Sequence, residues 1–268
     1  AGAIVGSLNN VLVAHIEGGE VSGTVDEMIR HAISKISHIH LVSNKIAKKR
    51  LIQMGENKKN IFIVGSPDVD MILGKNLPNL NKVKKRYEIS FSNYAIGILH
   101  PITTNLKNLK EETRIFFNSL VKSGLNYILI YPNNDHGSEV ILKEMSRYKN
   151  YKKFRIFPSI RFEYYLTLLK NSRFIIGNSS SGIIEAPYYG VSTINIGDRQ
   201  KNRLKSKLIK HVNFYEQSII KSIKFVKNRK INKRKFFGEG KSAEKIVKLF
   251  STNKIWNISN QKNFIDII

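Results

Sequence analysis

Short apolar runs alternate with segments of helical apolar spacing along most of the chain. Such alternation predicts parallel strands joined by crossover helices, and therefore an α/β fold. In the first part of the chain, the predicted strands cover residues 10–16, 38–42 and 61–64, and the predicted helices cover residues 25–36 and 45–54. Ser43 is placed to cap the second of these helices, and Gly55 to end it.

A segment rich in Asn and Lys, residues 74–92, interrupts the alternation, which then restarts. The later pattern predicts strands at residues 94–99, 127–131, 154–157, 174–176 and 192–196, and helices at residues 106–121, 138–148, 161–170, 181–189, 215–226 and 242–250. We predict a partial N-terminal Rossmann-like domain (1–75), a linker (76–92), a C-terminal nucleotide-binding Rossmann-like domain (93–250), and a tail or helix that packs back on the first domain (251–268). The first domain is predicted to be incomplete because three strands are too few for a Rossmann-type half.

Composition places the chain among globular proteins, with 41% hydrophobic and 24% charged residues. The absence of cysteine excludes disulfides and thiolate metal sites and is compatible with a reducing cytoplasm. No apolar run approaches the length of about 20 residues that a membrane-spanning helix needs. The sequence therefore predicts a cytoplasmic protein that makes no membrane contact.

The net charge is strongly positive, at +25 from 45 Lys plus Arg against 20 Asp plus Glu. Such a charge attracts nucleic acid and anionic membranes. The basic residues are spread along the whole chain, and the aromatic-plus-basic motifs of RNA-binding modules are absent. We interpret the lysines as solvated surface residues and expect no nucleic-acid partner, with a basic protein that binds nucleic acid or a membrane surface kept as an alternative.

Polar residues follow each of several predicted strands, where ligands bind in open parallel sheets. These polar segments are residues 15–23, 100–104, 132–138, 177–182 and 197–200. In the fourth, small side chains enter a predicted helix, so that backbone N–H groups could approach a phosphate; a simple helix cap explains the same serines. Glu185 follows, either to bind ribose hydroxyls or to stabilise the helix dipole.

Other candidate residues also have a structural alternative. His100 ends a strand and titrates in a useful range, but a histidine there can be structural. Glu17 precedes two glycines that permit close approach to a ligand, or it is a turn carboxylate. Asp26 and Glu27 begin a helix and can be capping residues, and Arg30 can be the i,i+4 partner of Asp26.

The chain resembles the hydrolysing UDP-N-acetylglucosamine 2-epimerases, of the type that serves sialic and legionaminic acid synthesis. The resemblance is carried by residues 15–38, which begin His-Ile-Glu-Gly-Gly-Glu, and by His-Pro-Ile-Thr-Thr at 100–104. Tyr-Pro-Asn-Asn-Asp at 131–135, Ile-Gly-Asn-Ser-Ser-Ser-Gly-Ile-Ile-Glu at 176–185 and Gly-Asp-Arg-Gln at 197–200 continue it in order. The first segment is long and specific, and the others would each be weak alone.

The resemblance implies a glycosyltransferase-B-like fold of two Rossmann-like domains, with the first incomplete, and a UDP-sugar as substrate. It implies that UDP is eliminated to leave a glycal, and that water then adds to give the 2-epimerised free sugar, with no metal or dinucleotide cofactor. It also implies roles for individual residues: in catalysis, Glu17, Asp26, Glu27, Arg30 and His100; in substrate binding, Asn133, Ser179, Ser180, Glu185 and Arg199.

Family members carry a further stretch ahead of the His-Ile-Glu segment, which includes a basic phosphate-contacting loop and a Gly-Asp-Arg motif with a catalytic Asp. The resemblance therefore implies that the chain is N-terminally truncated and impaired in activity, that residues 1–10 are the remnant of a helix, and that the full-length protein is a homo-oligomer. A glycosyltransferase of the same architecture is the second alternative, which would transfer the sugar to an acceptor.

Overall fold

The computed structural model describes residues 1–22, 25–74, 76–200, 202–204, 206–227 and 232–266. Gly23 and Thr24 of the family-like segment, and the last two residues of the predicted tail, lie outside the described residues. Each predicted strand is present to within a few residues. Among the described residues, no helix combines the length and the apolar character needed to cross a bilayer.

The strands are β1 (Ala14–Ile16), β2 (Ile39–Val42), β3 (Ile61–Ile63), β4 (Ala95–Ile98), β5 (Tyr127–Ile130), β6 (Phe154–Phe157), β7 (Phe174–Gly177), β8 (Ser192–Ile196) and β9 (Ile209–Val212). The helices are α1 (Gly2–Leu8), α2 (Val25–Lys35), α3 (Lys45–Gln53), α4 (Pro67–Ile72), α5 (Leu80–Arg86), α6 (Leu109–Ser123), α7 (Ser138–Ser146), α8 (Phe162–Lys170), α9 (Ala186–Tyr189), α10 (Glu216–Val226), α11 (Ser242–Phe250) and α12 (Asn253–Trp256). Short 3-10 turns lie at Lys58–Asn60 and Ser180–Gly182.

The chain forms two compact units, of which unit 1 contains residues 1–74 and 235–268. Its sheet has the order β1-β2-β3, and both strand pairs are parallel. Every residue of the central strand β2 is buried, whereas Ala14 and Ile16 of the edge strand β1 are exposed. Helix α1 occupies the segment expected as a helix remnant, and it has no buried residue.

Unit 2 contains residues 75–234 and one parallel sheet in the order β6-β5-β4-β7-β8-β9. Counted within the unit, this order is 3-2-1-4-5-6, the order of a doubly wound Rossmann sheet. Its large core includes Phe116, Tyr127 and Phe174. The sixth strand, β9, was not predicted from the sequence, because Lys210 and His211 at its centre are exposed and break the apolar run.

The unit boundaries differ from the predicted domain boundaries in two places. Within the predicted linker, helix α5 packs on α8: Val83 is fully buried, and Thr167 Oγ1 donates a hydrogen bond to Pro78 O at 2.9 Å. Helix α11, predicted in the second domain, belongs to unit 1, because the Asp70 carboxylate accepts hydrogen bonds from the Ser242 and Ala243 amides at 2.9 and 2.8 Å. This carboxylate caps the start of α11.

Two local predictions were wrong. Asn44 rather than Ser43 caps α3, since its side chain accepts from the Ala47 amide at 2.9 Å, while the Ser43 hydroxyl is bonded to Glu20. The helix predicted over residues 181–189 is instead a three-residue 3-10 turn followed by the short α9. Pro187 fits only the first turn of a helix, so the helix must begin near it.

Candidate functional site

The strand order of unit 2 places a crevice between the carboxyl ends of β4 and β7. From these two strands the sheet winds in opposite directions, which is where open α/β sheets bind ligands. His100 lies two residues beyond the end of β4, and Asn178 follows β7 directly. Two of the motifs found in the sequence therefore meet at the switch point.

A reciprocal pair of hydrogen bonds joins the loops after β4 and β7. The His100 amide donates to Asn178 Oδ1 at 2.7 Å, and Asn178 Nδ2 donates to His100 O at 2.9 Å. Asn178 is fully buried. Gly177 allows the close approach, because a Cβ there would lie 1.8 Å from Ile98 O, and its φ is +132°. The backbone around His100 is thus fixed by residues of the neighbouring strand.

The imidazole of His100 is held as one tautomer. Its Nδ1 accepts a hydrogen bond from the Asn133 amide at 3.0 Å, so the neutral ring carries its proton on Nε2. Burial, and then the nearby positive charge of Arg199, lower the pKa of His100 to about 4, although Asn133 and Asp135 oppose this. At neutral pH, His100 is therefore an uncharged hydrogen-bond donor.

Arg199 supplies a nearly buried positive charge to the same group of loops. Its guanidinium lies 3.4 Å from Asn178 O and 3.8 Å from the Asp135 carboxylate. Gln200 Nε2 also lies 3.4 Å from Asn178 O. Asp135 in turn accepts from Asn133 Nδ2 at 2.5 Å. Loops after β4, β5, β7 and β8 are thereby linked into one polar cluster with a cation in it.

The serine loop after β7 is a 3-10 turn rather than the start of a long helix. Ser179 Oγ accepts from the Ser181 amide at 3.2 Å, so the alternative of a simple cap is correct for this serine. Ser181 is buried and bonded to the Tyr165 hydroxyl. Any phosphate binding here depends on backbone N–H groups and hydroxyls, since a helix dipole needs more aligned peptide units than this turn has. Glu185 is also buried, at the start of α9.

In unit 1, Glu17 lies at the end of β1 in a strained conformation. Its φ is +64°, in the left-handed region that a residue with a side chain rarely adopts. Its amide donates to Leu41 O at 2.9 Å, which holds the turn against β2. Gly19 must be glycine, since a Cβ there would lie 2.4 Å from Ala47 O. Such strain costs about 1–3 kcal/mol and is concentrated at functional sites.

Helix α2 begins just after this turn and carries the other predicted residues of unit 1. Asp26 is exposed at its start. Glu27 accepts from the Ser22 amide, which precedes the helix, at 2.6 Å. Arg30 donates to Glu20 O at 3.3 Å. The carboxylates and the arginine therefore share one helix with the Glu17 turn beside it.

Sequence reasoning did not single out His15, Asn178 or Tyr165, each of which contacts a candidate segment. His15 Nδ1 lies 3.1 Å from Ser34 Oγ, and burial, with smaller effects of His40 and Arg30, lowers its pKa to about 4. Asn178 lay within a motif of the sequence. Its role in holding the His100 backbone, however, follows only from the pairing of the two neighbouring strands. Tyr165 lies on α8, outside every motif, and no sequence signal marked it. Within the described residues, no group of three or more His, Asp or Glu could hold a metal ion.

The fold and the site define a doubly wound α/β protein with a polar, cation-bearing crevice at the switch point of its second unit. The family model described as UDP-N-acetylglucosamine 2-epimerase matches residues 1–251. The chain belongs to this family of enzymes.

Similar proteins agree with this assignment. The UDP-N-acetylglucosamine 2-epimerase of Neisseria meningitidis serogroup B is 48% identical over all of this chain, which spans 72% of that protein. The UDP-N,N'-diacetylbacillosamine 2-epimerase (hydrolyzing) of Legionella pneumophila is 34% identical over 94% of this chain and 67% of its own length.

A solved structure shows the same fold. It is the UDP-GlcNAc 2-epimerase of Methanocaldococcus jannaschii in complex with UDP-GlcNAc and UDP, with a TM-score of 0.80 and 25% identity over 93% of this chain and 72% of that one. The predicted glycosyltransferase-B-like class, with two Rossmann-like domains, is confirmed.

Proposed function

We propose that this chain carries the substrate machinery of a hydrolysing UDP-sugar 2-epimerase. The substrate would be UDP-N-acetylglucosamine or UDP-N,N'-diacetylbacillosamine, and the products UDP and the free sugar epimerised at C2. The hydrolysing type is supported by the relatives from Legionella pneumophila and Campylobacter jejuni, whose names include it. The observation that carries the proposal is the fixed Nε2–H of His100 beside the Arg199 cation.

In this proposal, the polar cluster of unit 2 binds UDP. A diphosphate accepts hydrogen bonds and carries negative charge, which matches a neutral imidazole N–H donor and a guanidinium. Ser179 and Ser180 would add donors to a phosphate oxygen, and Glu185 would accept from ribose hydroxyls. Because Arg199 is nearly buried, its attraction for the diphosphate is less screened than on an open surface.

The reaction divides into two redox-neutral steps. In the first, a base takes the proton from C2 while the bond from C1 to the UDP oxygen breaks, which leaves a double bond between C1 and C2. In the second, the hydroxyl of water adds to C1 and a proton returns to C2 from the other face. Proton removal and return suit positioned carboxylates, and we assign these to Glu17, Asp26 and Glu27.

Charge builds up on the departing UDP as the bond to C1 breaks. Groups that are fixed before the reaction stabilise such charge without reorganising. His100 and Arg199 are held by hydrogen bonds to backbone atoms of neighbouring loops, so they are suited to this role. Arg30 would stabilise negative charge near the sugar.

The experiment follows UDP-N-acetylglucosamine and UDP-N,N'-diacetylbacillosamine by proton and phosphorus NMR in the presence of the chain. The proposal predicts free UDP and a free sugar with inverted C2. Accumulation of an epimerised sugar still joined to UDP would contradict the hydrolysing assignment. Transfer of the sugar to an added acceptor would favour the glycosyltransferase alternative.

A further inference from the structure

The carbonyl groups at the end of helix α2 have no partners within the helix, as at every helix end. Side chains satisfy them here. Ser37 Oγ donates to Ile33 O at 2.7 Å, and Ser7 Oγ donates to Ile36 O at 2.6 Å. The end of α2 is therefore capped by residues from outside the helix, one of them distant in the chain.

The remaining carbonyls are capped by one lysine of the C-terminal segment. Lys262 Nζ donates to Ser34 O at 3.1 Å, to Lys35 O at 2.8 Å and to Ser37 O at 2.7 Å. A positive charge at this end also interacts favourably with the helix dipole. Some 225 residues of sequence separate Lys262 from Ser37, so no local pattern could predict this cap.

The same ammonium group pairs with a buried carboxylate. Lys262 Nζ lies 2.5 Å from Glu56 Oε2, and Glu56 is only 1% exposed. Glu56 also contacts His40 Nε2 on β2 at 2.9 Å and Lys35 Nζ at 2.9 Å. Lys262 thus connects the end of α2 to the central strand of its sheet.

A second contact holds the segment in place. His38 Nδ1 accepts from the Val13 amide at 3.1 Å, so its Nε2–H donates to Asn260 O at 3.0 Å. Asn260 Nδ2 donates to Asn10 O at 2.7 Å. The segment around residues 260–262 is therefore bonded to residues that precede β1 and β2 as well as to the end of α2.

We propose that Lys262 is a positioning residue for helix α2, and through it for Asp26, Glu27 and Arg30. The helix has 11 residues and is about 16 Å long, so Lys262 fixes the end opposite the carboxylates. Because a helix is stiff, loss of the anchor at its last turn lets the whole helix shift, and its first turn shifts with it. The catalytic part of this inference rests on the proposed function; the structural part does not.

Hydrogen exchange of the chain, resolved by peptide, tests the structural part. Lys262→Met keeps the aliphatic stem and removes the donors, and it should speed exchange of the amides at 33–37 by about tenfold. Lys262→Arg should restore protection. The matched control is Lys45→Met, which makes the same charge change at an exposed position of unit 1 outside α2 and should leave these amides near the native rate.

Three exchange results would overturn the positioning role. They are an unchanged amide exchange rate in Lys262→Met, no rescue of protection by Lys262→Arg, or equal acceleration of exchange at the β2 amides, which would show a general loss of stability.

The kinetic readout is UDP release, for which Lys262→Met should lower kcat by about tenfold with little change in KM. Faster exchange with an unchanged kcat would overturn the catalytic link. A native chain that releases no UDP would count against the proposed function, while the exchange data still decide the positioning role.

Discussion

At the scale of the residue, the chemistry of the crevice depends on an uncharged His100. Its pKa of about 4 lies below the unfolded value of 6.5, so the unfolded chain binds the extra proton between these pH values. The stability that comes from the neutral ring is complete above pH 6.5 and is lost as the pH falls towards 4. We predict that the Hε1 NMR resonance of His100 titrates near pH 4.

Unfolding measurements check the same prediction. His100→Asn should make the free energy of unfolding less dependent on pH between 6.5 and 4. His136→Asn, which removes an exposed imidazole from the neighbouring loop, serves as the control. A His100 resonance that titrates at 6.5 or above would contradict the neutral-donor role.

Arg199 is the second residue on which nucleotide binding depends. Loss of its charge-assisted hydrogen bonds to a diphosphate should cost about 1.5–3 kcal/mol. We therefore expect Arg199→Met to weaken UDP binding by about 10- to 100-fold in calorimetric titrations. Arg147→Met makes the same charge change at an exposed position of unit 2 and should bind UDP normally. Equal affinities for both variants would remove Arg199 from the site.

Single residues were predictable where a motif carried them, and not where the fold created their role. His100, Asn133 and Arg199 come together as their positions after the ends of β4, β5 and β8 indicated. The tautomer of His100 depends on the hydrogen bond from the Asn133 amide. The hydrogen bonds between Asn178 and the His100 backbone depend on two strands being adjacent in the sheet. Neither can be read from spacing along the chain.

At the scale of the element, the end of β7 determines whether the crevice forms. A Cβ on Gly177 would overlap the carbonyl of Ile98, and backbone cannot move aside there without breaking the β4–β7 pairing. We predict that Gly177→Ala costs more than about 4 kcal/mol or prevents folding. Gly124→Ala, at an exposed helix end where φ is +68° and a Cβ would lie 3.7 Å from Lys153 Nζ, should cost about 1 kcal/mol.

Denaturant unfolding measures the costs of the two alanine variants, both of which place a Cβ at positive φ, although only Gly177→Ala adds overlap with backbone. Similar costs for both would mean that the approach of β4 and β7 is not as tight as described.

The element scale is also where sequence patterns were most informative. Buried parallel strands give continuous apolar runs, whereas the exposed centre of β9 and the proline-started α4 gave no such signal.

At the scale of the whole molecule, unit 1 depends on the buried charge cluster around Glu56. Burial alone would raise the pKa of Glu56, but hydrogen bonds from His40, Lys262 and Lys35 lower it to about 2. The stability from this group is present above pH 4.5 and is lost as the pH falls through 2. Glu56→Gln should cost about 3 kcal/mol at pH 7, because it removes the buried carboxylate that pairs with Lys262 and Lys35 and contacts the buried His40.

Acid unfolding of the native chain and of Glu56→Gln measures this difference. The variant should lose less additional stability between pH 4.5 and 2, and parallel curves would contradict the assignment.

The cluster also shows why domain boundaries were hard to predict. The chain returns to unit 1 after residue 234, and the contacts of Asp70 and Glu56 with that return segment have no local sequence signature.

Isotope incorporation tests the central claim most directly. Turnover of the UDP-sugar in deuterated, oxygen-18 water should give a free 2-epimerised sugar with deuterium at C2, because the proton is removed and replaced from solvent. The released UDP should contain no oxygen-18, because the bond that breaks joins C1 to oxygen. Oxygen-18 in the UDP, or a released sugar with its original C2 hydrogen and configuration, would contradict elimination and hydration at this site.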